Sequence, residues 1–265
     1  MSTPQSTPQR TIGLVGGMSW HSTATYYRRI NEVVAAARCG HASARISLQS
    51  LDFAEVRACQ ERDDYAATAR LIADAGRACV AGGADVVALC TNLMHKNYDA
   101  LAAAVDVPVV HIADAVAAVC RRDGHRTVGL LGARPVMEQD FYAARLAEHG
   151  IAVVVPDAAG RDEVDRVIFE EITRGTFLDT SRAAYVEVIA DLAARGADVV
   201  ALACTEIGLL VPPEASPLPS VDTALAHADL LAAISLGQAA GETGTTDGAP
   251  DRVMGDAGAR SSVGA

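Results

Sequence analysis

The first regular pattern in the chain begins at Thr11, where TIGLVGG is apolar at nearly every position rather than at alternate ones. A helical spacing follows, with Tyr26, Ile30, Val33, Val34 and Ala37 on one face. A second apolar stretch covers Ile46 to Leu51. A long helix then leads to Gly83, a residue type favoured just past a helix C-terminus. The Val-rich run ADVVALC, Ala84 to Cys90, closes the series. From Thr127 the succession recurs: TVGLLGA, a strand at Ala152 to Val155, a long helix ending at Gly196, and ADVVALAC from Ala197 to Cys204. Short strands that are apolar on both faces, separated by helices, predict parallel sheets covered by helices.

The recurrence keeps its order and almost keeps its spacing. Thr11–Gly17 and Thr127–Ala133 lie 116 residues apart, Tyr26-Tyr27 and Phe141-Tyr142 115, Gly83 and Gly196 113, and Cys90 and Cys204 114. Val107-Pro108-Val109-Val110 also resembles Leu218-Pro219-Ser220-Val221. This is the mark of an internal duplication. The expected fold is α/β: two pseudo-symmetric, doubly wound parallel-sheet lobes with a cleft between them. The N-terminal lobe is expected over 11–115 and the C-terminal lobe over 116–222, with a helical stretch at 223–238 packing back on the first lobe. Residues 1–10 and 239–265 are polar or Gly-rich and aperiodic, and are expected to be disordered.

Composition narrows the function classes. Half the residues are apolar but only 4% are aromatic, so the core must be built from Ala, Val, Leu and Ile. A formal charge of −11 and the lack of any basic run argue against a nucleic-acid partner. No apolar run approaches the roughly 18 residues of a membrane span. The polar N-terminus lacks the apolar region of a secretory signal, so a cytoplasmic location is expected. The six cysteines include no C-x-x-C pair, and no metal site is expected.

Chemistry concentrates at Cys90 and Cys204. Each stands just past a buried strand and is followed by threonine and then a polar residue, Asn92 or Glu206. Ligands of open parallel sheets bind at that end of the strands. Backbone N–H groups there can bind an anion and lower a thiol pKa from about 8.5. Two facing thiols suit removal of a proton from one face of a carbon and its return to the other. Each sulfur would approach to roughly 3–3.5 Å. The pair would then sit roughly 6–7 Å apart, too far for an S–S bond of about 2.05 Å. Cys39, Cys59, Cys79 and Cys120 read as small buried hydrophobes. Glu206 reads equally as a helix N-terminal carboxylate or as a group orienting the thiol or a substrate ammonium. His111 reads as a structural histidine or a cleft partner. Lys96 and Arg134 could meet a carboxylate, with surface charge the alternative for Arg134.

TIGLVGGMSW, LCTNLMHK, HIADA, MEQDFY and ACTEIGLLVP together resemble the aspartate/glutamate racemase family, over about Thr11 to Leu236. They look closest to its bacterial branch of broad-specificity, pyridoxal-phosphate-independent amino-acid racemases. The resemblance implies an isomerase without a cofactor, acting on a small amino acid, and commonly a homodimer. It makes Cys90 and Cys204 the acid–base pair. Thr91, Asn92 and Thr205 would hold the α-carboxylate and amine, Met18 and Ser19 would line the cleft, and Gln49 would reach the substrate. Two positions depart from the pattern. Glu163 stands where relatives carry a lysine for the distal carboxylate, and Leu93 where a small polar residue is usual. They imply a substrate with a neutral or cationic side chain. The alternatives are a decarboxylase or cis–trans isomerase on the same scaffold, a non-catalytic amino-acid-binding protein, and a redox switch of the two thiols.

Overall fold

The computed structural model describes residues 8–238. The tail at 239–265 and residues 1–7, both expected to be disordered, lie outside the described residues. Gln9 and Arg10 fall within the expected disordered segment but are tied down. Gln9 Nε2 donates to the Ser43 carbonyl, Arg10 N–H donates to the Ser235 carbonyl, and Ser235 Oγ donates back to Arg10 O. Their partners are distant in sequence, so the local reading had no signal for them.

The first repeat runs β1 (Ile12–Gly16), α1 (Trp20–Arg38), β2 (Ile46–Ser50), α2 (Phe53–Gln60), α3 (Tyr65–Ala81), β3 (Val86–Leu89), a 3-10 turn (Leu93–Asn97), α4 (Tyr98–Ala104) and β4 (Val109–Val110). Helix α5 (Ile112–Asp123) connects to the second repeat. That repeat runs β5 (Thr127–Gly132), α6 (Arg134–Glu138), α7 (Asp140–Glu148), β6 (Ala152–Val154), α8 (Ala158–Glu170), a 3-10 turn (Ile172–Arg174), α9 (Asp179–Ala194), β7 (Val199–Ala203), α10 (Ile207–Leu210) and β8 (Ser220–Asp222). Helix α11 (Thr223–Ser235) follows.

Two four-stranded parallel sheets result, ordered β2-β1-β3-β4 and β6-β5-β7-β8. The topology is the same in both, and so is the central register: Leu14 pairs with Ala88 as Leu130 pairs with Ala201. Strands β1, β3 and β7 are buried at every position, as their unbroken apolar runs require. In each sheet the winding reverses between its two central strands, so the crevice of each lobe opens past the ends of β1/β3 and β5/β7.

Where one long helix was expected after the second strand, each repeat has two. In the first, the polar run after Gln60 breaks the helix, Asp63 takes a positive φ of 53°, and the Asp64 carboxylate caps α3 by accepting from Ala67 N–H. In the second, Gly175 turns the chain at φ 78° between α8 and α9. The α1 stripe is also shorter than its periodicity suggests: Tyr26, Ile30 and Val34 are buried and Ala37 is exposed.

Helix α11 packs on α1. Ala224, Ala228, Leu231 and Ala232 share one core with Ile12, Leu14, Tyr26 and Ile30. Polar ties reinforce that contact. Tyr26 Oη meets His227 Nδ1 at 2.9 Å, and Arg29 grips Asp229 with two hydrogen bonds at 2.5 and 3.0 Å. Among the described residues no helix is long and apolar enough to cross a membrane.

Candidate active site

The turn after β1 is possible only with glycines. A Cβ on Gly17 (φ 86°) would sit 2.1 Å from the Leu51 carbonyl oxygen, and one on Gly16 would strike the Thr23 side chain at 2.5 Å. Thr23 Oγ1 instead accepts from Gly17 N–H at 2.8 Å. That close turn delivers Met18 and Ser19 into a cavity of about 300 Å³ between the lobes, at the C-terminal ends of the strands. From the first lobe the cavity also takes Phe53 and Gln60 of α2, and Thr91, Asn92, Leu93 and Met94 after β3. From the second it takes Ala133, Val136, Ile168 and Phe169, and Ala203 through Glu206 after β7.

The two cysteine motifs are not equivalent. Cys204 lines the cavity, and its Sγ lies 3.1 Å from Glu206 Oε2. The same carboxylate oxygen accepts from Thr205 Oγ1 at 2.7 Å. Burial raises the Cys204 pKa well above the ordinary thiol value, and the Glu206 carboxylate raises it further. Cys90 is fully buried, shares a core with Ile12, Leu14 and Tyr26, and is not one of the lining residues. Its pKa is also pushed up, chiefly by burial. Its carbonyl accepts from Ser22 Oγ at 3.0 Å, which fixes the strand end against the start of α1. All six cysteines are free thiols.

The segment after Cys90 is held by a histidine that local sequence patterns did not single out. His95 Nε2 accepts from Ile112 N–H at 3.1 Å, so Nδ1 carries the proton and donates to the Thr91 carbonyl at 2.7 Å. His111 lies beside it with its ring tilted, centroids 4.4 Å apart, and its Nδ1 accepts from Ala113 N–H as the cap of α5. His111 is thus structural. His227 completes a buried trio, its Nε2 facing the Val110 carbonyl. Burial lowers the His95 pKa to about 4 and the His227 pKa to about 3, so the trio is neutral at neutral pH.

Met18, Ser19, Thr91, Asn92, Leu93, Cys204, Thr205 and Glu206 are therefore brought together, and Cys90, Gln49 and Glu163 do not join the lining. Gln49 is half-buried on β2, opposite Val15. Glu163 lies on α8 and takes two hydrogen bonds from Arg166, which also binds the buried Glu171. Among the described residues no Lys or Arg lines the cavity, and its one basic side chain is His21. Arg161 and Arg134 pair with Glu138 and Asp162, and Lys96 sits 3.4 Å above the Tyr65 ring. Arg57 of α2 touches two lining residues, Phe169 across the cleft and Gln60 on its own helix. Its guanidinium lies 5.0 Å from the Phe169 ring centroid and donates to Gln60 Oε1 at 3.1 Å.

The sequence model of the Asp/Glu/Hydantoin racemase family matches residues 15–231. A candidate Asp/Glu racemase from Yersinia pestis is 43% identical, with a TM-score of 0.82 over 86% of this chain and 99% of that one. An aspartate racemase homologue from Pyrococcus horikoshii is 29% identical, with a TM-score of 0.74 over 85% and 99%. A variant of arylmalonate decarboxylase shares the fold at 19% identity and a TM-score of 0.52, over 90% and 97%.

Proposed function

The chain belongs to the Asp/Glu/Hydantoin racemase family, and on that premise we propose that it inverts the α-carbon of an amino acid with an uncharged side chain by proton transfer between Cys204 and Cys90. The observation that carries the substrate class is the lining of the cleft. A distal carboxylate is best held by a Lys or Arg, and among the described residues neither lines the cavity, whose one basic side chain is the exposed His21. The cavity's one carboxylate, Glu206, accepts from Thr205 and Cys204 through Oε2. Its side walls are Met18, Phe53, Leu93, Met94, Val136, Ile168 and Phe169, which suit an apolar or weakly polar side chain.

Proton transfer needs one thiol ionised and one protonated. Burial favours the protonated thiol at both. A bound ammonium brings positive charge beside them and favours the thiolate, so ionisation is coupled to substrate binding. The Thr91 hydroxyl and the backbone N–H groups past β3 and β7 stabilise the carboxylate as negative charge grows on it. Exclusion of water strengthens each of those contacts. This reading requires the Cys90 thiol to reach the cleft when substrate enters, and Thr91 and Asn92 beside it already line the cavity.

The test is loss of the Cα–H proton NMR signal in D₂O, paired with optical inversion. A neutral amino acid should exchange and invert in the wild type, and neither Cys90→Ser nor Cys204→Ser should sustain inversion. Inversion that survives either substitution would defeat the two-thiol reading.

A further inference from the structure

Thr223 opens α11 and is fully buried where the two lobes meet. Its Oγ1 stands 3.0 Å from the Leu202 carbonyl oxygen and 3.1 Å from Asn92 Oδ1. Leu202 lies on β7 two residues before Cys204, and Asn92 lies two residues after Cys90. One hydroxyl therefore touches both cysteine motifs, one from each lobe.

A threonine hydroxyl carries one proton and two lone pairs. Two acceptor oxygens at hydrogen-bond distance cannot both be satisfied by one proton. The hydrogen bonds close when the Asn92 amide presents Nδ2 to Thr223. The amide N–H then donates to Oγ1, and the Thr223 O–H donates to the Leu202 carbonyl. The amide oxygen turns to the other side. Asn92 lines the cavity, and neither of its amide atoms is sealed away without a partner, so that other side faces the cleft.

We propose that Thr223 is a positioning residue, which ties the two cysteine motifs together and turns the Asn92 amide oxygen into the cleft to accept the substrate ammonium. This rests on the reading of the cleft as an amino-acid site. An amide oxygen suits an ammonium because it accepts a hydrogen bond without adding charge. Glu206 holds the corresponding place two residues after Cys204 and is likewise an acceptor. Acceptors at both pseudo-symmetric positions leave the carboxylate end to the Thr91 hydroxyl and backbone N–H groups.

Thr223→Val removes the hydroxyl at nearly constant shape, and Thr223→Ser keeps it. In ¹⁵N-labelled protein the Asn92 side-chain NH₂ pair is identified by its disappearance in Asn92→Asp. Thr223→Val should move that pair and Thr223→Ser should leave it close to the wild-type position. With a neutral amino acid, Thr223→Val should raise KM about tenfold, the scale of one lost hydrogen bond. The change in kcat should be smaller, and Thr223→Ser should restore KM. Thr223→Ala gives the same readouts should valine unfold the chain. An NH₂ pair unmoved by loss of the hydroxyl overturns the proposal. A pair that moves with KM unchanged overturns the ammonium role. A wild type that exchanges no amino-acid Cα–H removes the racemase reading, and the NH₂ pair still reports on the Thr223 tie by itself.

Discussion

Cys90 and Cys204 stand at the same place in two copies of one fold, yet their surroundings have opposite character. Cys204 opens on the cavity with a carboxylate 3.1 Å from its sulfur. Cys90 is sealed in an apolar core, and its neighbour at the equivalent position is a neutral amide. The glycine turn differs too. Gly17 bends sharply to deliver Met18 and Ser19, whereas the second repeat has Ala133 and runs straight into α6 with Pro135 in its first turn. Duplication supplied two equivalent strand ends, and the loops after them made one thiol that lines the cavity beside a carboxylate and one that is buried in the core. Under the proposed two-thiol inversion, the two faces of a stereocentre would meet these two different thiols.

The largest expected effect comes from removing either thiol. Cys90→Ser and Cys204→Ser should each lower kcat for inversion by roughly 10²–10⁴-fold, the range of acid–base catalysis by a positioned group, measured by polarimetry. Equal activity in either variant would dissolve the distinction between the two sites.

Glu206→Gln sharpens the comparison. The carboxylate raises the Cys204 pKa, so its removal should shift the alkylation profile of that thiol to lower pH and leave Cys90 unmoved. In the wild type iodoacetamide should label Cys204 well before Cys90, read by peptide mass spectrometry. Labelling in the reverse order would contradict the burial assigned to Cys90.

The histidine trio sets the acid limit. Its members are depressed below their unfolded value of about 6.5, so the unfolded chain takes up more protons as pH falls. Their stabilisation is present above about 6.5 and is lost as pH falls toward 4 and 3. Melting temperature should fall across that window, and His227→Gln should flatten part of the fall. An unchanged slope in that variant would remove His227 from the account.

Smaller effects are expected from the two charges that flank the cleft without lining it. Arg57→Ala removes a cation–π contact with Phe169 worth about 0.5–1 kcal/mol, so KM for a neutral substrate should rise by no more than about fivefold. A collapse of activity on aspartate with neutral substrates spared would instead make Arg57 a carboxylate ligand. Glu163→Lys should leave substrate choice unchanged, because Glu163 serves Arg166 rather than the cavity. Gain of aspartate activity in that variant would restore Glu163 to the substrate wall.

Much of this was legible in the sequence because it is local or repeated. Unbroken apolar runs gave the two parallel sheets, and the duplicated Cys-Thr motif marked the strand ends. The place of Met18 and Ser19 in the cleft came from the family resemblance rather than from any local pattern. What escaped depends on distant partners. Thr223 is an ordinary threonine at a helix start until Asn92, 131 residues away, is brought against it. His95 looks like any polar residue in a turn until Ile112 N–H fixes its tautomer. The separation of α2 from α3 could have been read from the charged run Glu61 to Asp64, which ends in a capping aspartate. The burial of Cys90 could not, since Cys90 and Cys204 end nearly identical strings and differ only in what packs over them.

The most direct test is Cα–H exchange in D₂O with matched amino acids: leucine and methionine against aspartate and glutamate. The cleft described here predicts exchange and inversion of the neutral pair at rates well above the acidic pair. Exchange confined to aspartate and glutamate would contradict it.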